Sequence, residues 1–100
     1  MADKTKLRLP LMCKCMLEEI YAQLKRKKID LNNTNNIKFL LKIEVGEICA
    51  YNDNAISAVC RTFKPYEFKC TCVKHSEVKK ENKVRYKYLF KFERYYDLPF

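Results

Sequence analysis

One hundred residues carrying 21 lysines and arginines against 12 acids, a net charge of +9, make a chain of single-domain size that attracts anionic partners: nucleic acid, an anionic membrane surface or an acidic protein. A hydrophobic share of 48% with 13% aromatics argues against a disordered tail, and one glycine with three prolines argues against flexible linkers and Gly-rich phosphate loops. No apolar run approaches the roughly 20 residues of a membrane helix. Met1-Ala-Asp-Lys-Thr-Lys6 has no signal-peptide core behind it, so the expected location is cytoplasmic or nuclear, or secreted if a leader has been removed.

Residues 1–8 are polar and expected to fray. Leu9-Pro10 opens a helix, with Pro10 tolerated in its first turn. Cys13, Leu17, Ile20 and Leu24 recur at helical spacing, flanked by Met12 and Met16, and predict one apolar face. Lys25-Arg26-Lys27-Lys28 closes the helix and suits the negative end of its dipole. Asp30–Asn36, with four asparagines, is a loop. Its Asn32-Asn33-Thr34 is formally a glycosylation sequon, relevant only to a secreted chain.

Ile37, Phe39, Leu41, Ile43 and Val45 then alternate with Lys38, Leu40, Lys42 and Glu44, predicting a half-buried strand that leads through Gly46 to Cys49. Tyr51-Asn-Asp-Asn54 is a turn signal. In the stretch from Ala55 to Phe63, Ile56, Ala58, Cys60 and Thr62 alternate, while Ala55, Ile56 and Val59 would fit one helical face; a strand is expected. Lys64-Pro65 breaks the chain. Tyr66, Phe68, Cys70 and Cys72 alternate with polar residues in the next strand, and Ser76–Asn82 is a polar hairpin connection. Val84, Tyr86, Tyr88, Phe90 and Phe92 alternate with Arg85, Lys87, Leu89, Lys91 and Glu93 in the last strand. Together these predict an α+β fold in one domain over residues 1–100. One N-terminal amphipathic helix packs on a three- to four-stranded antiparallel sheet, with the Ile37–Cys49 strand at its centre.

Two constellations bear on chemistry. The first is Cys13-x-Cys15, Cys49, Cys60, Cys70-x-Cys72 and the single histidine, His75. Zinc needs four converging ligands, and its usual knuckles are Cys-x2-Cys. Residues two apart share a face on a strand, so Cys70 and Cys72 can converge with His75, whereas Cys13 and Cys15 diverge on a helix. Thiols or disulfides are expected in preference to zinc, and neither a metal nor another cofactor is expected. Six cysteines in a secreted chain suggest disulfides, and in a reducing compartment buried thiols. His75 beside Lys74 reads as a solvated surface residue. No nucleophile elbow or metalloprotease motif is present, so enzymatic activity is not expected.

The second constellation is Lys83-Val-Arg-Tyr-Lys-Tyr-Leu-Phe-Lys-Phe-Glu-Arg-Tyr95, where cations and rings interleave. On single-stranded nucleic-acid platforms rings stack on bases and cations hold phosphates. A period of two turns the rings to the core and leaves an electrostatic strip that contacts phosphates without reading bases. Lys79, Lys80, Lys83, Arg85, Lys87 and Lys91 are the expected contacts, with Lys25–Lys28 extending the surface. The expected function is a non-enzymatic basic module for nucleic acid, or an acidic protein, bound through the C-terminal hairpin. The same residues also read as a core strand with a solvated face.

Phe39-Leu-Leu-Lys-Ile-Glu-Val-Gly46 resembles the central aromatic-x-Leu-x-Val-Glu-x-Gly strand of the cystatin superfamily. Cys49 and Cys60 are spaced like the first disulfide of its secreted members, Cys70-x-Cys72 resembles relatives with extra cysteines, and Tyr96-Asp-Leu-Pro-Phe100 resembles the Pro-aromatic protease-binding loop. The inhibitory Gln-x-Val-x-Gly hairpin is absent, and the match covers about half the chain. The resemblance implies a helix wrapped by an antiparallel sheet, a Cys49–Cys60 disulfide, and binding to a protease or receptor. A viral structural or assembly protein that forms homo-oligomers is the third candidate, consistent with the small size and Asn/Lys-rich composition.

Overall fold

The computed structural model describes residues 4–95, and the side chains of residues 9–95. In chain order it contains helix α1 (Lys4–Arg26), strand β1 (Lys38–Val45), a 3-10 turn (Glu47–Cys49), helix α2 (Asp53–Arg61), a second 3-10 turn (Lys64–Tyr66) and strands β2 (Phe68–Lys80) and β3 (Lys83–Arg94). The strands form one antiparallel sheet in the order β1-β3-β2. This is the expected α+β class, with a helix the alternation did not predict. None of the described helices is long and apolar enough to cross a membrane.

α1 starts earlier than expected, and Pro10 lies inside it. Proline removes one backbone donor near the start of a long helix, and the remaining bonds carry the helix through. The buried row is Met12, Met16, Ile20 and Leu24, with 6%, 1%, 0% and 4% exposure. That is an i+4 ridge, displaced from the expected stripe; Cys13 and Leu17 flank it, half-buried. The helix ends where Ile29 N–H reaches Leu24 O at 2.9 Å and Lys28 N–H reaches Lys25 O at 3.1 Å. Lys28 takes φ 56°, so this is a Schellman stop with lysine in the left-handed seat that usually goes to glycine. Ile29 then packs on the core beside Leu24.

The stretch from Ala55 to Phe63 is mainly the helix α2, not a strand. Asn52 Oδ1 accepts from Asn54 N–H at 2.9 Å and Ala55 N–H at 3.2 Å, satisfying donors that a helix start leaves orphaned. Asp53 adds a negative charge to the first turn. Ala55, Ile56 and Val59 are buried together, the one-face set that helical periodicity requires.

α1 packs on β1 and α2 on β2. Both helices therefore cover one face of the sheet, and the core fills the space between. Leu41, Ile43 and Val45 from β1 meet Tyr88, Phe90 and Phe92 from β3 there, with Phe63 and Phe68 among them. Phe92 stacks on Phe39 at 4.7 Å and meets Phe63 edge-on at 5.0 Å, favourable ring geometries within the core.

β3 occupies the centre of the sheet and β1 is an edge strand, which corrects the expected central position of β1. β3 carries the bulkiest inward ring set, so flanking strands on both sides satisfy its backbone while its rings fill the core. β2 runs to Lys80, and the hairpin connection is only Glu81-Asn82, since Lys80 pairs with Lys83. Glu81 has φ 56°, the sign that primed two-residue turns demand at their first central position. β1 pairs only as far as Val45 with Tyr86, so the tip of the β2–β3 hairpin projects beyond it as a two-stranded arm.

Arg94 is a buried charge with 3% exposure. Its guanidinium donates to Leu31 O at 2.6 Å, Asn33 O at 2.8 Å, Asn36 O at 2.9 Å and Tyr66 O at 2.6 Å. It also lies 4.0 Å over the Phe68 ring. The Asp30–Asn36 loop is thereby tied to the end of β3, because its carbonyls find a fixed fork of donors instead of water.

Candidate functional site

The face of the sheet opposite the helices is the basic surface of the molecule. Pairing places Lys38, Lys42 and Leu40 of β1 beside Glu93, Leu89 and Lys91 of β3, with Lys87, Arg85 and Lys83 following toward the hairpin tip. β2 adds Lys69, Thr71, Lys74, Ser76, Val78 and Lys80 on the same face. Only Glu44 and Glu93 are acidic on this side of the three strands.

Of the expected contacts, Lys80, Lys83, Arg85, Lys87 and Lys91 share this face. Lys79 does not: it pairs with Val84, so it points to the other side. Period two along β2 separates it from Lys80. Lys42 was left out by sequence reasoning, and Lys74 counted only as adding to the positive charge near the hairpin. They come together because β3 lies between β1 and β2, with Lys42 and Lys74 both opposite Leu89. Lys42, Lys74 and Lys87 ring a depression of about 410 Å³ that Val78 and Leu89 help to line. Among the described residues Lys42, Lys74 and Lys83 make no ion pair.

Glu44 organises the cations next to this depression. It accepts from Arg85 Nε at 2.9 Å and Lys80 Nζ at 3.3 Å, and lies 3.9 Å from Lys87 Nζ. The hydrogen bond from Lys80, helped by that from Arg85 and by both charges, holds its carboxyl below the ordinary carboxylate range against the desolvation that raises it. Glu93, bonded to Lys91 at 3.0 Å, is lowered for the same reason, with Lys38 and Lys69 nearby. Such exposed pairs add little stability, but they hold long side chains in place. A second depression of about 540 Å³ runs past the β1 edge, lined by Lys42, Glu44, Arg85 and Lys87 together with Arg26 and Lys27 of the α1 end. It joins Arg26 and Lys27, part of the basic run that closes α1, to the edge of the sheet face.

The aromatic residues of β3 do not belong to this face. Tyr88, Phe90 and Phe92 are buried on the other side, leaving Leu40, Val78 and Leu89 as its apolar elements; Leu40 is 54% exposed. The arrangement suits phosphate contact along a strip and lacks a stacking platform.

All six cysteines are thiols, Cys49 buried and the others half-buried. Cys49 and Cys60 are thus not joined, and they have different sulfur neighbours: Cys15 and Cys13 for Cys49, Cys70 and Cys72 for Cys60. Burial, with those neighbours, pushes Cys49 up to about 11. His75 is exposed and stacks on Tyr51 at 3.9 Å, while Cys72 Sγ donates to Lys74 O at 3.6 Å. Among the described residues no group of three or more His, Cys, Asp or Glu side chains is placed to hold a metal ion. Tyr96–Phe100, which carried the resemblance to a protease-binding loop, lies outside the described residues.

No protein family matches the chain, and no curated protein or solved structure shows significant similarity to it.

Proposed function

We propose that the protein is a non-enzymatic nucleic-acid-binding module whose contact surface is the helix-free face of its sheet. The observation that carries this reading is the convergence of Lys42, Lys74 and Lys87, from three different strands, around one depression. Phosphates neutralise such clustered cations, and the counterions released supply the affinity. Leu89 and Val78 give the floor an apolar patch against sugar or base edges, with no pattern of donors and acceptors to read sequence. Binding is therefore electrostatic and weakly sequence-specific.

The test is titration of duplex and single-stranded oligonucleotides over a salt series starting near about 50 mM, where phosphate neutralisation dominates. Replacing Lys42, Lys74 and Lys87 together by Gln should weaken duplex binding and flatten the log–log salt slope by about three, at roughly 0.9 for each phosphate no longer neutralised. Lys79→Gln, on the opposite face, should leave the slope unchanged. No binding at low salt, salt-independent binding, or an equal loss in the Lys79 variant would overturn the proposal.

A further inference from the structure

The six thiols are divided between two places in the fold. Cys13, Cys15 and Cys49 gather where α1 meets the first 3-10 turn, and Cys49 is fully buried there with its S–H on Met12 O at 3.8 Å. Cys60, Cys70 and Cys72 gather where α2 packs on β2. Cys70 and Cys72 pair with Phe92 and Phe90, which puts both on the core-facing side of β2, and Cys60 comes down onto them from the last turn of α2. All three are half-buried and pack on the edge of the core. A small reagent can reach them, and they are held in fixed relation to one another.

Within this second group the thiols influence one another unequally. The Cys70 thiol first, with the Cys72 backbone, holds Cys60 below the ordinary thiol range against its burial. Cys70 is pushed up by Cys60 and by burial. Cys72 is raised by burial. Thiols gathered on one face within reach of a small reagent, one of them lowered, are the makings of a reactive dithiol.

We propose that Cys60 and Cys70 are a redox-active dithiol that reduces low-molecular-weight disulfides of the glutathione class and closes a Cys60–Cys70 disulfide between α2 and β2. The Cys60 thiolate attacks one sulfur of the small disulfide, forming a mixed disulfide and expelling one thiolate, which takes up a proton. Cys70 then loses its proton and attacks the Cys60 sulfur, forming the internal bond and expelling the second small thiol. Two electrons pass from the protein to the small disulfide, and two small thiols leave. The closed disulfide locks the end of α2 to β2.

The test incubates the reduced full-length protein, under native conditions, with glutathione disulfide. The reaction is quenched in acid, remaining thiols are alkylated, and products are read by intact mass and peptide mapping. The expected product has lost two hydrogens, with the bond mapped to Cys60 and Cys70. Cys60→Ser should abolish it, and Cys70→Ser should trap a persistent glutathione adduct on Cys60. Near-neutral alkylation of the wild-type chain should label Cys60 ahead of Cys72 and Cys49, a readout that needs no variant to fold. The proposal is overturned if the native thiols stay unreacted until the protein is denatured, if Cys15–Cys49 or any other pair closes first, or if Cys60 is not the first residue labelled.

Discussion

Replacing Arg94 by Met would remove a buried cation while keeping a long unbranched stem in its place. The bond to Leu31 O is fully buried, and a buried hydrogen bond to a charged group is worth about 2 kcal/mol. The bonds to Asn33 O, Asn36 O and Tyr66 O are partly buried, so water can replace them at a cost of about 0.5 kcal/mol each. The cation's position over the Phe68 ring adds about 1 kcal/mol. Methionine returns about 1 kcal/mol by sparing the desolvation of a charge, leaving a net destabilisation of about 3.5 kcal/mol. Thermal unfolding followed by circular dichroism should show Tm falling by roughly 15–25 °C, at about 4–8 °C per kcal/mol for a chain of this length. Arg94→Lys should recover only part of this, because one ammonium cannot reproduce the planar fork. Hydrogen exchange should locate the damage, with amides of the Asp30–Asn36 loop opening before those of β3. A Tm drop of less than about 4 °C for Arg94→Met, equivalent to under 1 kcal/mol, would show that the loop is held by other interactions and refute the reasoning.

Glu44→Gln releases Lys80, Arg85 and Lys87 from their shared carboxylate and should tighten oligonucleotide binding roughly two- to five-fold at low salt, an advantage that disappears at high salt. Unchanged or weaker binding in the low-salt titration would contradict that. Because the folded pKa of Glu44 is depressed, its stabilising contribution is complete above the ordinary carboxylate range and fades as pH falls through the folded value; an acid unfolding series should show Glu44→Gln converging on the wild type at its acid end. Lys28→Gly relieves the left-handed strain at φ 56° and should stabilise the protein by about 1 kcal/mol. A lower Tm for that variant would mean the Lys28 side chain contributes more than its backbone costs.

Sequence patterning conveyed the sheet better than the helices. β3 announces itself because its inward rings and outward polar residues alternate from Val84 to Phe92, and burial follows that alternation from Tyr88 onward. α2 was missed because its nine residues give an apolar period of two as readily as one near four. The deciding signal was Asn52-Asp53, a cap and a first-turn acid, which reads equally well as a turn. Arg94 continues the inward parity of Phe92, but an inward arginine contradicts the hydrophobic pattern and has meaning only once distant carbonyls surround it. The candidate site was half legible. The cations of β3 were placed by their own strand, whereas Lys80, expected in the hairpin connection, took its face only from the extension of β2 to Lys80. Lys74 was legible as a charge near the hairpin, but Lys42 could not be brought to the others until the strand order was known, since nothing local specifies that β3 inserts between its two predecessors.

Strict alternation would put Lys74 on the side of Cys70 and Cys72, yet it faces outward because the register shifts by one residue between Cys72 and Lys74. Val73, 48% exposed, is the extra residue. A bulge of this kind lets one strand change its allegiance partway along: its first half furnishes sulfur to the interior and its second half furnishes charge to the outside. Val73 is also the point where chain length and face assignment are uncoupled. Cys72 already pairs with Phe90 and Lys74 with the adjacent Leu89, so excising Val73 leaves every pairing as it stands and only straightens the strand. Length variation at this single position would thus leave both surfaces in register, whereas a deletion further along β2 would turn the residues between it and Val73 to the opposite face.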